Sequence, residues 1–127
     1  MARIRPVFES IVMPVPEMQD MVALQIRGRI NYQNAADLRK RILKEIAHPP
    51  ARRLVIDLEG VVEMDTAGAA VLVEALKKAR DQDLKMLLCA PSQSVLSIFR
   101  LAGLSEVLDC CCSGPEDMQR KLANPVA

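Results

Sequence analysis

A chain of 127 residues has room for one domain. We expect a single domain over 1–127 with a core at about 8–122, large enough to fold without disulfide or metal staples. Half of the residues are apolar and 26% are charged, which excludes a disordered or fibrous chain. The balance of 17 basic to 16 acidic residues leaves no reason for a polyanionic partner. Aromatic residues are limited to Phe8, Tyr32 and Phe99, which argues against nucleic-acid binding by base stacking.

Val7 to Met13 reads as an edge strand closed by Pro14-Val15-Pro16, and Glu17 to Asp20 as a polar turn. Met21 to Ile26 is the next strand, with Val22, Leu24 and Ile26 on one face and Gly28 as its break. Asn34 to Ile46 reads as a helix. Asn34 is the expected N-cap, Ala35, Leu38, Ile42 and Ile46 form the apolar stripe, and Pro49-Pro50 is the stop.

Leu54 to Leu58 has the continuous apolar character of a central strand covered on both faces. A connection is expected from Glu59 to Asp65, then a helix from Thr66 to Asp81. Ala69, Leu72, Val73, Leu76 and Ala79 lie on its apolar side, opposite Glu74, Lys77, Lys78 and Asp81. Leu84 to Ala90 is a second buried strand. Ser92 to Ala102 is a third helix with a stripe of Val95, Ile98, Phe99 and Ala102, and Gly103 follows as its C′ residue. Leu104 to Cys110 is predicted as a short last strand. Ser113 is predicted to cap a final helix over Pro115 to Leu122. The order β-β-α-β-α-β-α-β-α indicates an α/β sheet with parallel pairs.

No apolar run reaches the roughly 18 residues of a membrane span. Arg3 and Arg5 are not followed by the apolar stretch of a secretory signal, so a cytoplasmic location is expected. Cys110, Cys111 and Cys112 are consecutive and Cys89 stands apart, a poor disulfide framework. With the lone His48 and no C-x-x-C, no metal site is expected. The thiols read as reduced, small buried hydrophobes.

The chemistry concentrates between the central strand and the second helix, in Met64-Asp65-Thr66-Ala67-Gly68. Either Asp65 or Thr66 serves as the N-cap there. A helix N-terminus leaves backbone N–H groups unpartnered and favours an anion, so a phosphate on the Thr66 hydroxyl would gain from it while being repelled by the Asp65 carboxylate. The string differs from the Asp-Thr-Gly of aspartic proteases. Ala67 intervenes, no second copy exists, and the motif opens a helix. In the first turns of this helix Ala67, Ala70 and Val71 are expected toward solvent. That makes a small uncharged patch beside the hydroxyl, suited to a protein partner, although alanine is also simply a good helix former.

Three stretches together resemble the STAS domain family, in its stand-alone form of anti-sigma factor antagonists. They are Ile26-Arg27-Gly28-Arg29-Ile30-Asn31 with Ala35 and Leu38, Leu54 to Leu58 leading into Met64 to Gly68, and Phe99-Arg100-Leu101-Ala102-Gly103-Leu104. The resemblance implies an α/β fold: a single STAS-like domain, a mixed β-sheet of four to five strands with about four helices. It implies Thr66 as phosphoacceptor, Asp65 as its acidic neighbour and Gly68 as a close-packing residue. The implied partner surface is Asn31, Asp65, Thr66, Ala67, Gly68, Ala70 and Val71. Ala67 stands where a second hydroxyl is common, and Asn31 where an Asp is common.

The implied partners are an anti-sigma factor that is a serine/threonine kinase of the GHKL type and a PP2C-type phosphatase, with no nucleic acid, membrane insertion, cofactor or catalysis by the chain itself. The alternative within the resemblance is a STAS subunit docked on the ATPase of an ABC-type lipid transport system, in which Thr66 is only a cap and contact residue. No glycine-rich phosphate loop supports an enzyme: the five glycines stand at 28, 60, 68, 103 and 114.

Overall fold

The computed structural model describes residues 8–14, 21–47, 53–113, 116–117 and 120–121. Strand β1 (Phe8–Pro14) is followed by β2 (Met21–Ile30), α1 (Ala35–Ala47), β3 (Arg53–Met64), α2 (Thr66–Asp81), β4 (Lys85–Cys89), α3 (Gln93–Leu101), α4 (Ser105–Asp109) and β5 (Cys111–Cys112). The strands lie in the order β1-β2-β3-β4-β5. The edge strand β1 is antiparallel to β2, and every other pair is parallel. The fold is therefore the α/β arrangement expected, a mixed sheet with helices α1 to α4 among the described residues.

Side chains alternate across a strand, and here the alternation sorts the core into two layers. Leu24, Ile26, Leu54, Ile56, Leu58, Met86 and Leu88 face one way and join Leu38, Ile42, Leu72, Leu76, Val95, Phe99 and Val107 of the helices in one buried cluster. Met21, Val55, Leu87 and Cys112 form a smaller cluster on the opposite face. Parallel strands in sequential order, linked by crossovers of a single hand, place their helices on one side of the sheet, and the large cluster follows from that. Arg39 of α1 and Glu74 of α2 tie the two helices at the surface at 2.7 Å, and the hydrogen bond from Arg39 holds the Glu74 carboxyl below its ordinary value.

The helix stripes match expectation closely. Ala35, Leu38, Ile42 and Ile46 are all buried. In α2, Ala69, Leu72, Leu76 and Ala79 are buried as expected, while Val73 is half-buried. In α3, Val95 and Phe99 are buried, but Ile98 is half-buried and Ala102 exposed. Gly103 closes α3 with φ 68°. The Leu104 N–H bonds to the Phe99 carbonyl at 2.9 Å and the Gly103 N–H to the Arg100 carbonyl at 3.1 Å, the paired bonds of a Schellman end.

Three expectations are corrected. Gly28 does not break β2. With φ 108° it sits among register irregularities between Gln25 and Arg29, and the strand runs on to Ile30. The stretch from Glu59 is not a loop, because β3 continues to Met64 by pairing with β2 and burying Val61 and Met64. Pairing with a neighbour overrides the turn character of Glu59-Gly60. Leu104 to Cys110 is not a strand. Leu104, Val107 and Leu108 recur at the spacing of a helix face and pack on the core, so α4 forms there and only Cys111 and Cys112 pair with β4.

Among the residues of the predicted last helix, 116–117 and 120–121 are helical, and the Asp117 carboxylate accepts the Ser113 N–H at 3.1 Å. The remainder of that helix, the turn at Glu17 to Asp20, His48 and Pro49-Pro50 lie outside the described residues.

The left-handed backbone at Gly28 yields the first prediction. A side chain there is strained whatever space it finds, so Gly28→Ala lowers stability by about 1–3 kcal/mol. A lower urea midpoint with unchanged slope is the expected result.

Candidate functional site

The paired ends of β2 and β3, with Ile30 opposite Met64, feed two turns that lie side by side. The Asp65 N–H donates to the Ile30 carbonyl at 3.1 Å, which joins the turns at their start. Asp65 then holds extended backbone at φ −98° and ψ −176°, and its side chain caps α2 by accepting the Gly68 N–H at 3.1 Å. Its second carboxylate oxygen accepts the Tyr32 N–H of the other turn at 2.9 Å. Asp65 is thus the N-cap, and Thr66 is the first helical residue.

The β2–α1 turn is organised from within. Asn31 Oδ1 accepts the Gln33 N–H at 2.9 Å, an Asx turn. The Asn31 carbonyl accepts from the N–H groups of Asn34 at 3.1 Å and Ala35 at 2.8 Å. Asn34, expected as N-cap, stands at that position, with its carbonyl accepting the Leu38 N–H at 3.1 Å. Its side chain turns back to the strand end: Oδ1 accepts the Asn31 N–H at 2.9 Å and Nδ2 donates to the Arg29 carbonyl at 2.8 Å. Asn34 is 3% exposed, and these bonds are what its burial requires.

Thr66 and Ala70 are exposed, and Asn31 and Asp65 are half-buried. Ala67 is half-buried against the core. Gly68 is buried because α2 begins close against the strand ends. A Cβ there would lie 2.6 Å from Ile30 Cγ2 and 2.8 Å from Met64 Cγ. Val71 is a correction. It is 8% exposed and packed within the core, so it does not belong to the solvent side. On a helix begun at Thr66, Val71 falls beside Gly68 and Ala75 on the buried face.

Sequence reasoning missed two residues of this surface. Tyr32 and Val62 are large apolar side chains at 75% and 62% exposure, one in the β2–α1 turn and one near the end of β3. The signal for Tyr32 was a rare aromatic placed in a polar turn. Val62 carries no such signal, because the turn character of Glu59-Gly60 hides the continuation of the strand around it. Among the described residues no group of His, Cys, Asp or Glu could hold a metal ion. What the site offers chemically is a solvent-facing hydroxyl on the first residue of a 16-residue helix, where the leading N–H groups have no intrahelical acceptor. A carboxylate stands on one side of it and exposed apolar side chains lie in the neighbouring turn and strand end.

Four parallel strands with an antiparallel edge strand, and a capped helix start laced to the preceding turn, define a small α/β domain. The chain belongs to the STAS domain family, whose model matches residues 13–118. Its fold matches that of anti-sigma factor antagonists. With one from Mycobacterium paratuberculosis the TM-score is 0.77 at 18% identity, over 93% of this chain and 96% of that one. With SpoIIAA in its unphosphorylated form the values are 0.71 and 15%, over 94% and 100%. The murine anion transporter Slc26a9 shares the fold at a TM-score of 0.75 and 12% identity, the match covering 94% of this chain and 23% of the transporter. No helix among the described residues is long and apolar enough to cross a membrane.

Two substitutions test the site's construction. Gly68→Ala forces Ile30 and Met64 apart, and overpacking of about 1–3 kcal/mol exceeds the roughly 1 kcal/mol gained in helix propensity. A net fall in the urea midpoint is expected. Asp65→Ala removes the cap and the tie to Tyr32 and costs about 1–2 kcal/mol. Amide exchange at Tyr32 and Gly68 should accelerate in that variant, and Asp65→Ser should restore the Gly68 amide but not Tyr32.

Proposed function

We propose that this chain is an anti-sigma factor antagonist that works by partner switching controlled at Thr66. Unphosphorylated, it binds an anti-sigma factor that is also a serine/threonine kinase of the GHKL type, and so frees the kinase's client. Phosphorylated on Thr66, it lets the partner go, and a PP2C-type phosphatase resets it. The chain acts in the cytoplasm, by binding rather than by catalysis.

The observation that supports this reading most is the exposed Thr66 hydroxyl at the start of α2, next to the Asp65 carboxylate. A phosphate there adds a charge of about −1.5 to −2 beside the Asp65 carboxylate, whose other contact is the turn carrying the exposed Tyr32. A partner docked over Thr66 excludes water, and a dianion there must be desolvated beside a second negative charge. A loss of about 1.4 kcal/mol already lowers affinity tenfold. A Bacillus structure of SpoIIAA in the phosphorylated form, with a TM-score of 0.66 at 14% identity, has the same fold. That agrees with a switch that acts through local charge rather than refolding.

The test is a paired pull-down from lysate of the source cells with Thr66→Ala and Thr66→Glu as baits. A GHKL-type kinase retained at least tenfold better by Thr66→Ala is the expected result. Recovery of one transporter ATPase by both baits would overturn the switch in favour of a docked transport subunit.

A further inference from the structure

Four cysteines lie near the β4–β5 edge, and the structure treats them differently. Cys111 Sγ donates to the Val107 carbonyl at 3.3 Å, and Cys110 and Cys111 pack toward the helix-side core. Cys89 and Cys112 lie on the opposite face, beside Met21, Val55 and Leu87. They are register partners across the parallel pair. Neighbouring strands lie about 4.7–4.9 Å apart, inside the roughly 4.4–6.8 Å that a disulfide spans between Cα atoms. Their side chains converge, with the two Sγ atoms 2.7 Å apart as free thiols. Cys89 is half-buried and opens the pair to solvent, while Cys112 is 1% exposed.

We propose that Cys89 and Cys112 form a reversible disulfide, a modification site for peroxides and small-molecule disulfides that staples β5 to β4. With hydrogen peroxide, one sulfur of the pair attacks the O–O bond, which breaks to give a sulfenic acid and water. The second sulfur displaces the sulfenic oxygen, forming the S–S bond and releasing a second water. Two thiols and one peroxide thus yield one disulfide and two waters, the peroxide being reduced. With glutathione disulfide, two exchange steps transfer the bond and release two glutathione thiols. Their mutual hydrogen bond draws the Cys112 thiol down and, with burial, pushes the Cys89 thiol up, so the two sulfurs share one proton-bridged contact. The bond closes a loop containing α3 and α4 and anchors a strand only two residues long. Lys121 bonds to the Cys111 carbonyl at 2.5 Å, so the same staple secures the contact of the C-terminal segment with β5.

The experiment treats the whole chain with hydrogen peroxide, blocks remaining thiols with N-ethylmaleimide, and maps a non-reducing tryptic digest by mass spectrometry. The expected product links peptide 86–100 to peptide 101–120, is removed by dithiothreitol, and is absent from Cys89→Ser and Cys112→Ser but present in Cys110→Ser and Cys111→Ser. Oxidised wild type should also melt at a higher temperature than reduced, with no such shift in Cys89→Ser. No linked peptide in wild type, a link that survives Cys112→Ser, or an oxidised form that melts no higher than the reduced one would each overturn the proposal. The wild-type map decides even where a serine variant folds poorly.

Discussion

Both carboxylate oxygens of Asp65 are engaged by backbone N–H groups, one from the helix it caps and one from the turn before α1. This single side chain makes two chain segments, separated by 33 residues at the Tyr32 contact, into one surface. The Asp65–Ile30 backbone bond is a second tie between the same segments. The position of the Thr66 hydroxyl follows from the cap, because N-cap geometry at Asp65 determines where helical backbone begins.

Support for that cap comes from beneath it. Ile30 and Met64 end adjacent strands in register, and Gly68 lies against both, so the first turn of α2 rests directly on their side chains. The close approach explains a glycine in a helix where propensity alone would disfavour it. The neighbouring turn is braced by Asn31 and Asn34, each bonding to the other's segment. Asn31 thus acts within its own turn as an organiser.

The far edge of the sheet is built on a different principle. There β5 contributes two residues, held to β4 by a short parallel ladder flanked by the Leu88–Cys110 and Ala90–Cys112 backbone bonds, and by the packing of Cys112 with Met21, Val55 and Leu87. On this face the buried cluster among the described residues holds four residues, against a far larger cluster on the helix side. The Arg39–Glu74 ion pair sits on the secure side, on the surface, where it adds little to what the core already supplies.

The sequence by itself determined the fold class, the helix stripes and the Asp65-Thr66 element, because these depend on local periodicity and on cap chemistry that operates within a few residues. The stripes of α1 and the end of α3 at Gly103 were legible for that reason. Tertiary structure alone decided the length of β3 and the continuation of β2 through Gly28, since both depend on hydrogen bonds to a neighbouring strand. It decided that Val71 is buried, because burial on α2 depends on where the helix meets the sheet. It also brought Tyr32 to Asp65 and Cys89 to Cys112, contacts that no spacing along the chain encodes, because they arise only when parallel strands set their register.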